Sequence, residues 1–343
     1  MMQALGSLPK GAVLSRIKQT PNYTSSGFEN LSHTPTMAEG HNFFKVMRAF
    51  INKPKGAVPS SVIPSIQNDL NRLPDGNPAM VWFGHSSYLL KVEGKNILVD
   101  PVFSGNASPF SFMVTAFNGS NVYSADNMPE IDILIITHDH YDHLDYHTIK
   151  ALKLKVKQVV CSLGVAPHLI KWGYDATKIT ELYWGEKTTI QNIQLTAAPA
   201  RHFSGRTIIR NRSLWSSFIL KTESHQIYIG GDSGYDSHFK QIGKDFGKFD
   251  LAILECGQYN PAWKYIHMMP EETVQAAIDL NAEIFIPVHW GKFDLSLHPW
   301  TEPIERATAH AQKLNVPYFT PLIGAITQLN NEVPSSPWWR NVK

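Results

Sequence analysis

Residues 131–147, IDILIITHDHYDHLDYH, constrain what this chain can fold into more than any other stretch. Ile131, Ile133, Leu134, Ile135 and Ile136 make a short apolar run, the mark of a strand covered on both faces. The run stops at Thr137-His138-Asp139-His140-Tyr141-Asp142-His143, which puts three imidazoles and two carboxylates within six residues. In an extended loop, His138 and His140 point one way while Asp142 and His143 face a neighbouring position. That spacing supplies ligands for two metal ions rather than one, and the mix of nitrogen and carboxylate oxygen suits zinc. A solvated loop rich in His by chance is the plainer reading, and a position directly after a β-run speaks against it. Asp145 then caps a helix running through Ile149, Leu152 and Leu154.

With 343 residues, 43% hydrophobic and 17% charged, the chain has enough sequence for a full core and the texture of an ordinary soluble enzyme. A net charge of +2 gives no reason to expect a nucleic-acid partner. Cys161 and Cys256 both sit inside apolar runs, so buried thiols in a reducing compartment are expected rather than a disulfide framework. The first residues lack a continuous apolar leader and no run approaches the length of a membrane span, so the expected location is cytoplasmic.

Residues 1–40 show no period and read as an irregular arm that wraps a domain or is partly disordered. Phe43, Phe44, Val46, Met47, Phe50 and Ile51 then form one apolar helical stripe beside Lys45, Arg48, Lys53 and Lys55. Docking on its own domain is the commoner fate of such a stripe, and peripheral contact with a membrane is the alternative. Five prolines mark 54–79 as a linker, which divides the chain into 1–79 and a domain over 80–343. From Met80, MVWFGHSSYLLKVEGKNILVD reads as two strands joined at Glu93-Gly94-Lys95-Asn96 and ending at Asp100-Pro101. Strands and helices then alternate. A hairpin over 188–200 delivers His202, a strand over 226–230 delivers Asp232, and EIFIPV delivers His289.

Each of these three alone is weak, because an Asp or His at a strand end is more often a turn former or a hydrogen-bonded core residue. With the loop of residues 138–143 they make seven ligands, His138, His140, Asp142, His143, His202, Asp232 and His289. Seven suits two sites of three ligands with one carboxylate bridging. Asp232 is the natural bridge, since a carboxylate has two oxygens and one imidazole nitrogen cannot span two metals.

The order His138-x-His140-x-Asp142-His143, His202, Asp232, His289 resembles the metallo-β-lactamase fold superfamily, and within it the N-acyl-phosphatidylethanolamine-hydrolysing phospholipase D group. The matching pieces include Trp82-Phe83-Gly84-His85, Leu98-Val99-Asp100-Pro101, Trp215-Ser216-Ser217, Gly230-Gly231-Asp232-Ser233-Gly234-Tyr235, Pro270-Glu271-Glu272 and His289-Trp290-Gly291-Lys292-Phe293. The resemblance covers roughly residues 80–325 and is collinear throughout. It implies an α/β fold, an αββα sandwich with the metals at one edge. It also implies two Zn2+ per chain, another divalent metal such as Mn2+ being compatible. His138, His140 and His202 would hold the first, Asp142, His143 and His289 the second, and Asp232 would bridge. Mammalian members carry Gln before the His of a Lys-Tyr-Gln-His segment, whereas Lys264-Tyr265-Ile266-His267 has Ile266, a departure beside the expected head-group position.

The expected chemistry is a phospholipase D-like phosphodiesterase acting on a phospholipid or other small molecule. Asp142 and Asp232 take catalytic roles and His267 is a proton donor, a phosphate contact or simply a hydrogen-bonded loop residue. His85, Trp215, Tyr265 and Trp290 are candidate substrate contacts, with a core role open for each, and Trp263 is a further candidate for the apolar entrance. Asp100 is expected to hold the outer nitrogen of a ligand His. His147, His168, His225, His238, His298 and His310 are read as surface residues. A sugar-phosphate lactonase of the same fold is the alternative hydrolase. A di-iron redox protein would normally replace His140 by Glu, and a non-catalytic metal-binding protein need not keep all seven ligands. A homo-oligomer is compatible with everything above.

Overall fold

The computed structural model describes residues 3–110, 112–329 and 336–342. Two sheets pack face to face. The first has seven strands in the spatial order Ile326–Gln328, Ala79–Trp82, Tyr88–Val92, Lys95–Val99, Ile131–Ile136, Val156–Ser162 and Ile179–Leu182. The second has six, ordered Phe285–Val288, Leu251–Glu255, Gln226–Ile229, Ser217–Lys221, Ile193–Ala198 and Lys187–Ile190.

The two-residue alternation of a strand decides the layers. Ile133 and Ile135 point into the core between the sheets, against Leu195, Phe218 and Ile253. Leu134 and Ile136 point outward onto Ile149, Leu152 and Leu169, from the helices Tyr146–Leu152 and Ala166–Lys171. On the far side Ile219, Tyr228 and Ala252 are covered by residues of His238–Phe246, Pro270–Asp279 and Glu302–Leu314. The fold is the expected αββα sandwich. In the first sheet the strands from Lys95–Val99 to Ile179–Leu182 are parallel, as are the three from Gln226–Ile229 to Phe285–Val288 in the second. Parallel strands send their carboxyl ends to one edge, so Asp100, His138–His143, Asp232 and His289 all leave from strand ends.

Five sequence expectations are corrected. The strand expected from Met80 is two strands, broken over 83–87 where Gly84 and His85 both take positive φ. The helix after Asp145 ends at Leu152, and Leu154 is 93% exposed. The arm is not irregular throughout, since it forms the helix Gly11–Ile17, and it wraps the domain as one alternative had it, with Ile17 and Phe28 buried against Leu163, Leu214 and Trp215. The proline-rich stretch is a packed strap, with Ile63, Leu70 and Leu73 buried. The apolar stripe is not docked either. The helix Phe43–Ile51 buries no residue, leaving Phe44 77% and Ile51 79% exposed. It meets the body through Phe50, stacked on Trp263 at 5.9 Å, and the Lys53–Asp294 ion pair at 2.8 Å. Among the described residues no helix is long and apolar enough to cross a membrane.

One buried cation ties the strand-end loops together. Lys292 is fully buried, and its Nζ donates to the carbonyls of Phe83 at 3.1 Å and Val102 at 2.9 Å. Burial without a close carboxylate pushes its pKa from 10.5 down to about 7. Between those values the unfolded chain holds a proton that the folded protein lacks, so stability rises with pH across that window. The expected contribution is up to about 1.4 kcal/mol per pH unit. Denaturant melts from pH 7 to 10 should show this rise in the wild type and a flatter curve in Lys292→Met; parallel curves would contradict it.

Candidate metal centre

Three residues at that edge carry strained backbone. His85, Asp100 and His289 have φ of 54°, 42° and 69°, a left-handed region that non-glycine residues rarely adopt. Two of them hold each other: the His289 amide donates to the His85 carbonyl at 2.9 Å, and the His85 amide donates to the Trp290 carbonyl at 2.9 Å. Gly257 packs against the other side of the His289 loop, where a Cβ would overlap the His289 carbonyl.

The side chains gather into two groups. His138, His140, His202 and Asp232 have ligand atoms within 4.8 Å of one another, and so do His85, Asp142, His143 and His289. In the first, His138 Nε2 and His202 Nε2 lie 2.9 and 3.2 Å from His140 Nδ1. Asp232 lies between the groups, with Oδ2 3.8 Å from His138 and 3.6 Å from His202, and Oδ1 3.1 Å from both His143 and His289. His143 Nε2, His289 Nε2 and Asp232 Oδ1 are nevertheless buried without a hydrogen bond. Buried polar atoms are normally satisfied. Orphaned ligand atoms on the side of His143, His289 and Asp232 Oδ1, and three imidazole nitrogens crowded together in the first group, are what divalent cations would satisfy, so the residues fit bound metal.

Outer hydrogen bonds choose which nitrogen faces inward. Asp100 Oδ2 accepts from His143 Nδ1 at 2.8 Å and from the Thr137 hydroxyl at 2.6 Å. With its proton given to Asp100, the Thr137 oxygen can only accept from His138 Nδ1, 3.0 Å away. His202 Nδ1 donates to the Ile266 carbonyl at 2.8 Å. All three rings are thereby set with Nε2 toward the site. Asp139 turns the other way, accepting from the Gly205 amide at 2.7 Å and the Ser213 hydroxyl at 2.8 Å, and so pins the loop between two candidate ligands.

Charge follows from burial. Burial, then neighbouring imidazoles, holds His138 and His289 well below the ordinary His value, and burial does the same to His202 against the pull of Asp232. For Asp232 burial opposes ionisation, yet His143 and the other imidazoles hold it down to about 2. Asp142, beside His143 and bonded to His85 Nε2 at 2.9 Å, is likewise lowered. Burial works against charge on His143, and the carboxylates of Asp232 and Asp142 overcome it, raising its pKa.

His267 faces the same space, its ring 4.9 Å from that of His202 and 5.2 Å from that of His289. Tyr265 is half-buried under the Arg201 guanidinium, 4.7 Å from its ring. The expectation that Trp215 and Trp290 contact substrate is corrected. Each is 1% exposed, Trp215 with its indole N–H bonded to the Ala200 carbonyl and Trp290 stacked on Trp338. His168, His238 and His298 are buried rather than superficial, because each finds a polar partner: Asp139, Ser233 and the Gln258 amide. His147 is exposed, and His225 and His310 are half-buried.

Two residues escaped the sequence reading. Asn30, in the arm, accepts from the His202 amide at 3.0 Å and donates to its carbonyl at 2.8 Å; nothing in its surroundings marked it. Glu255, ending a buried strand, accepts from His267 Nδ1 at 2.7 Å. A lone acid in the apolar run LAILEC was the signal for it.

Fold and site together define a metal-dependent hydrolase. The chain belongs to the β-lactamase superfamily, whose domain model matches residues 95–290. An uncharacterized protein of Mycobacterium tuberculosis is 37% identical over 94% of this chain and 88% of its own. N-acyl-phosphatidylethanolamine-hydrolyzing phospholipase D 1 of Caenorhabditis elegans is 33% identical over 62% of this chain and 64% of its own length. Among solved structures, Igni18, a metallo hydrolase from Ignicoccus hospitalis, superposes with a TM-score of 0.56 at 18% identity, covering 74% of this chain and 98% of that one.

Metal-free protein should lose stability as pH falls below 6.5. Unfolding then takes up protons on His138, His202 and His289, whose folded pKa values lie well below 6.5. His143 and His267, both raised, gain stability only as pH falls from their raised values toward 6.5, so they offset part of the difference between pH 7.5 and 5.5. Melting temperatures of chelator-treated protein at pH 7.5 and 5.5 check this, and a higher value at 5.5 would contradict it.

Proposed function

We propose that this metal-dependent hydrolase is a dinuclear phosphodiesterase that cleaves a phospholipid in the manner of a phospholipase D. The observation that carries the reading is Asp232, placed between two ligand groups with Oδ1 toward one and Oδ2 toward the other. His138, His140 and His202 would hold one cation and Asp142, His143 and His289 the other. Bound there, divalent cations, zinc by this nitrogen-rich donor set, supply a water with its pKa lowered to about 7 and positive charge for the phosphoryl oxygens. Asp142, fixed by His85, orients the attacking water. His267, its side chain 12% exposed where most of the other imidazoles are sealed, is the group able to hand a proton to the departing oxygen.

The lipid part of the proposal rests on the surface. Three exposed apolar segments are tied to elements that carry the site. The helix Phe43–Ile51 reaches Trp263, four residues before His267. The loop with Phe110 and Met113 joins, through Ala107 and Val114, the cluster of Phe293, whose ring lies 5.3 Å from that of His85. Ile208, 98% exposed, stands in the loop after Phe203, whose ring is 4.4 Å from that of His140. With Lys45, Arg48 and Lys55 beside the first segment, these features suit an anionic bilayer.

Elemental analysis of the purified protein should give close to two metals per chain, mainly zinc. Asp232→Asn should lower that content and abolish turnover with little loss of secondary structure. Zinc-loaded wild type should cleave N-acyl-phosphatidylethanolamine and simpler phosphodiesters; hydrolysis of sugar-phosphate lactones with no action on phosphodiesters would replace this reading with the lactonase. Phe44→Glu with Ile51→Glu should weaken co-sedimentation with anionic vesicles and slow cleavage in bilayers. A water-soluble phosphodiester should be cleaved at the wild-type rate, since both side chains are exposed. Unchanged vesicle binding would remove the membrane contact.

A further inference from the structure

Glu255 is 1% exposed at the end of the buried strand Leu251–Glu255, where an isolated carboxylate is strongly disfavoured unless it is matched. Among the described residues no Lys or Arg pairs with it. Its Oε2 accepts from His267 Nδ1 at 2.7 Å, and its Oε1 accepts from the Met268 amide at 2.8 Å. Both oxygens are thus engaged on one loop, and the carboxylate grips His267 and the residue after it together. That loop is held close by Gly234, where a Cβ would overlap the Tyr265 carbonyl. Asp232, Glu255, His267 and His289 also have ligand atoms within 4.8 Å of one another, which raises a third cation as the competing role. The engaged oxygens of Glu255, and the membership of Asp232 and His289 in the other two groups, count against it.

We propose that Glu255 is a positioning residue that holds His267 by Nδ1 and turns Nε2 toward the leaving oxygen, making a Glu–His proton-delivery pair. The inference rests on the phosphodiesterase reading for the identity of that oxygen. The bond from phosphorus to the leaving alcohol breaks, its electron pair goes to the oxygen, and the Nε2 proton moves onto it. The attacking water gives its oxygen to phosphorus, and the proton it releases restores His267. Glu255 touches no substrate, so its effect on the leaving group passes through His267.

The dependence on leaving group tests this. Two phosphodiesters sharing one phosphoryl group, one releasing p-nitrophenol and the other an alkyl alcohol, are given to zinc-loaded wild type, Glu255→Gln and His267→Gln. An alkoxide needs the proton and a nitrophenolate does not. Both variants should therefore lose about a hundredfold or more in kcat on the alkyl ester and only a few-fold on the aryl ester, with KM little changed. The double variant should lose no more than His267→Gln alone. Equal losses on the two esters, or additive losses in the double variant, overturn the pair. A metal content near three in wild type that falls to two in Glu255→Gln makes Glu255 a ligand and overturns it as well. Independently of any substrate, the Nδ1 proton of His267 should give a strongly downfield NMR signal that Glu255→Gln moves upfield, and a wild type without that signal overturns the proposal. A wild type that cleaves lactones but neither phosphodiester refutes the earlier reading instead, and the NMR signal then decides the Glu255–His267 contact on its own.

Discussion

Asp142 and Asp232 lie among six imidazoles of the two ligand groups, Asp232 almost sealed from water, and that concentration of ionisable groups is the constraint on which the edge of the sandwich depends. In a low-dielectric site an unpaired carboxylate is expensive and a cluster of neutral rings leaves lone pairs unmatched. The protein answers from outside the cluster. Asp100 takes the outer proton of His143 and, through Thr137, that of His138, while the Ile266 carbonyl takes that of His202. These bonds fix the tautomers, so the inward nitrogens are those that bear lone pairs. A cation is the natural counterpart of such an arrangement, and the orphaned atoms at its centre are the places where one would be felt first.

Holding this cluster in register needs stiff loops. The reciprocal amide–carbonyl bonds between the loops of His85 and His289 lock two positive-φ residues against each other. Lys292 staples the carbonyls of Phe83 and Val102 from inside. Behind them Trp82, Trp290, Trp300 and Trp338 stack as one block, which explains why Trp290, expected at an entrance, is spent on rigidity. The arm does the same on the other side, where Asn30 clasps both the amide and the carbonyl of His202. The metal edge is thus braced by chain that lies before the matched family region of residues 95–290 as well as within it.

Openness is distributed unevenly. His85, His143 and His289 are 0% exposed, whereas His267 retains some access to solvent, and the exposed apolar segments attach to the elements bearing His267, His85 and His140. His143, His202, Asp232 and His289 are sealed, whereas Asp142, His140 and His267 line the side of the site that solvent can reach. The same layout separates the interior, made of alternating aliphatic strands, from a rim of exposed apolar side chains such as Phe44, Ile51 and Ile208.

What the sequence determined by itself was local. An apolar run ending in His138-x-His140-x-Asp142-His143 specifies a buried strand and a set of donor atoms, because side-chain period and ligand type are both readable within a dozen residues. His202, Asp232 and His289 were legible for the same reason, each standing directly after such a strand. Only the tertiary structure decided the partners. Glu255 and His267 are twelve residues apart, Asp100 and His143 forty-three, and Asn30 and His202 one hundred and seventy-two, and no periodicity links them. The same holds for Trp215 and Trp290, whose exposure depends on what packs over them, and for Lys292, whose charge state is set by burial rather than by neighbours in sequence. Donor identity is a property of the residue, whereas orientation, tautomer and pKa belong to the surroundings that folding assembles.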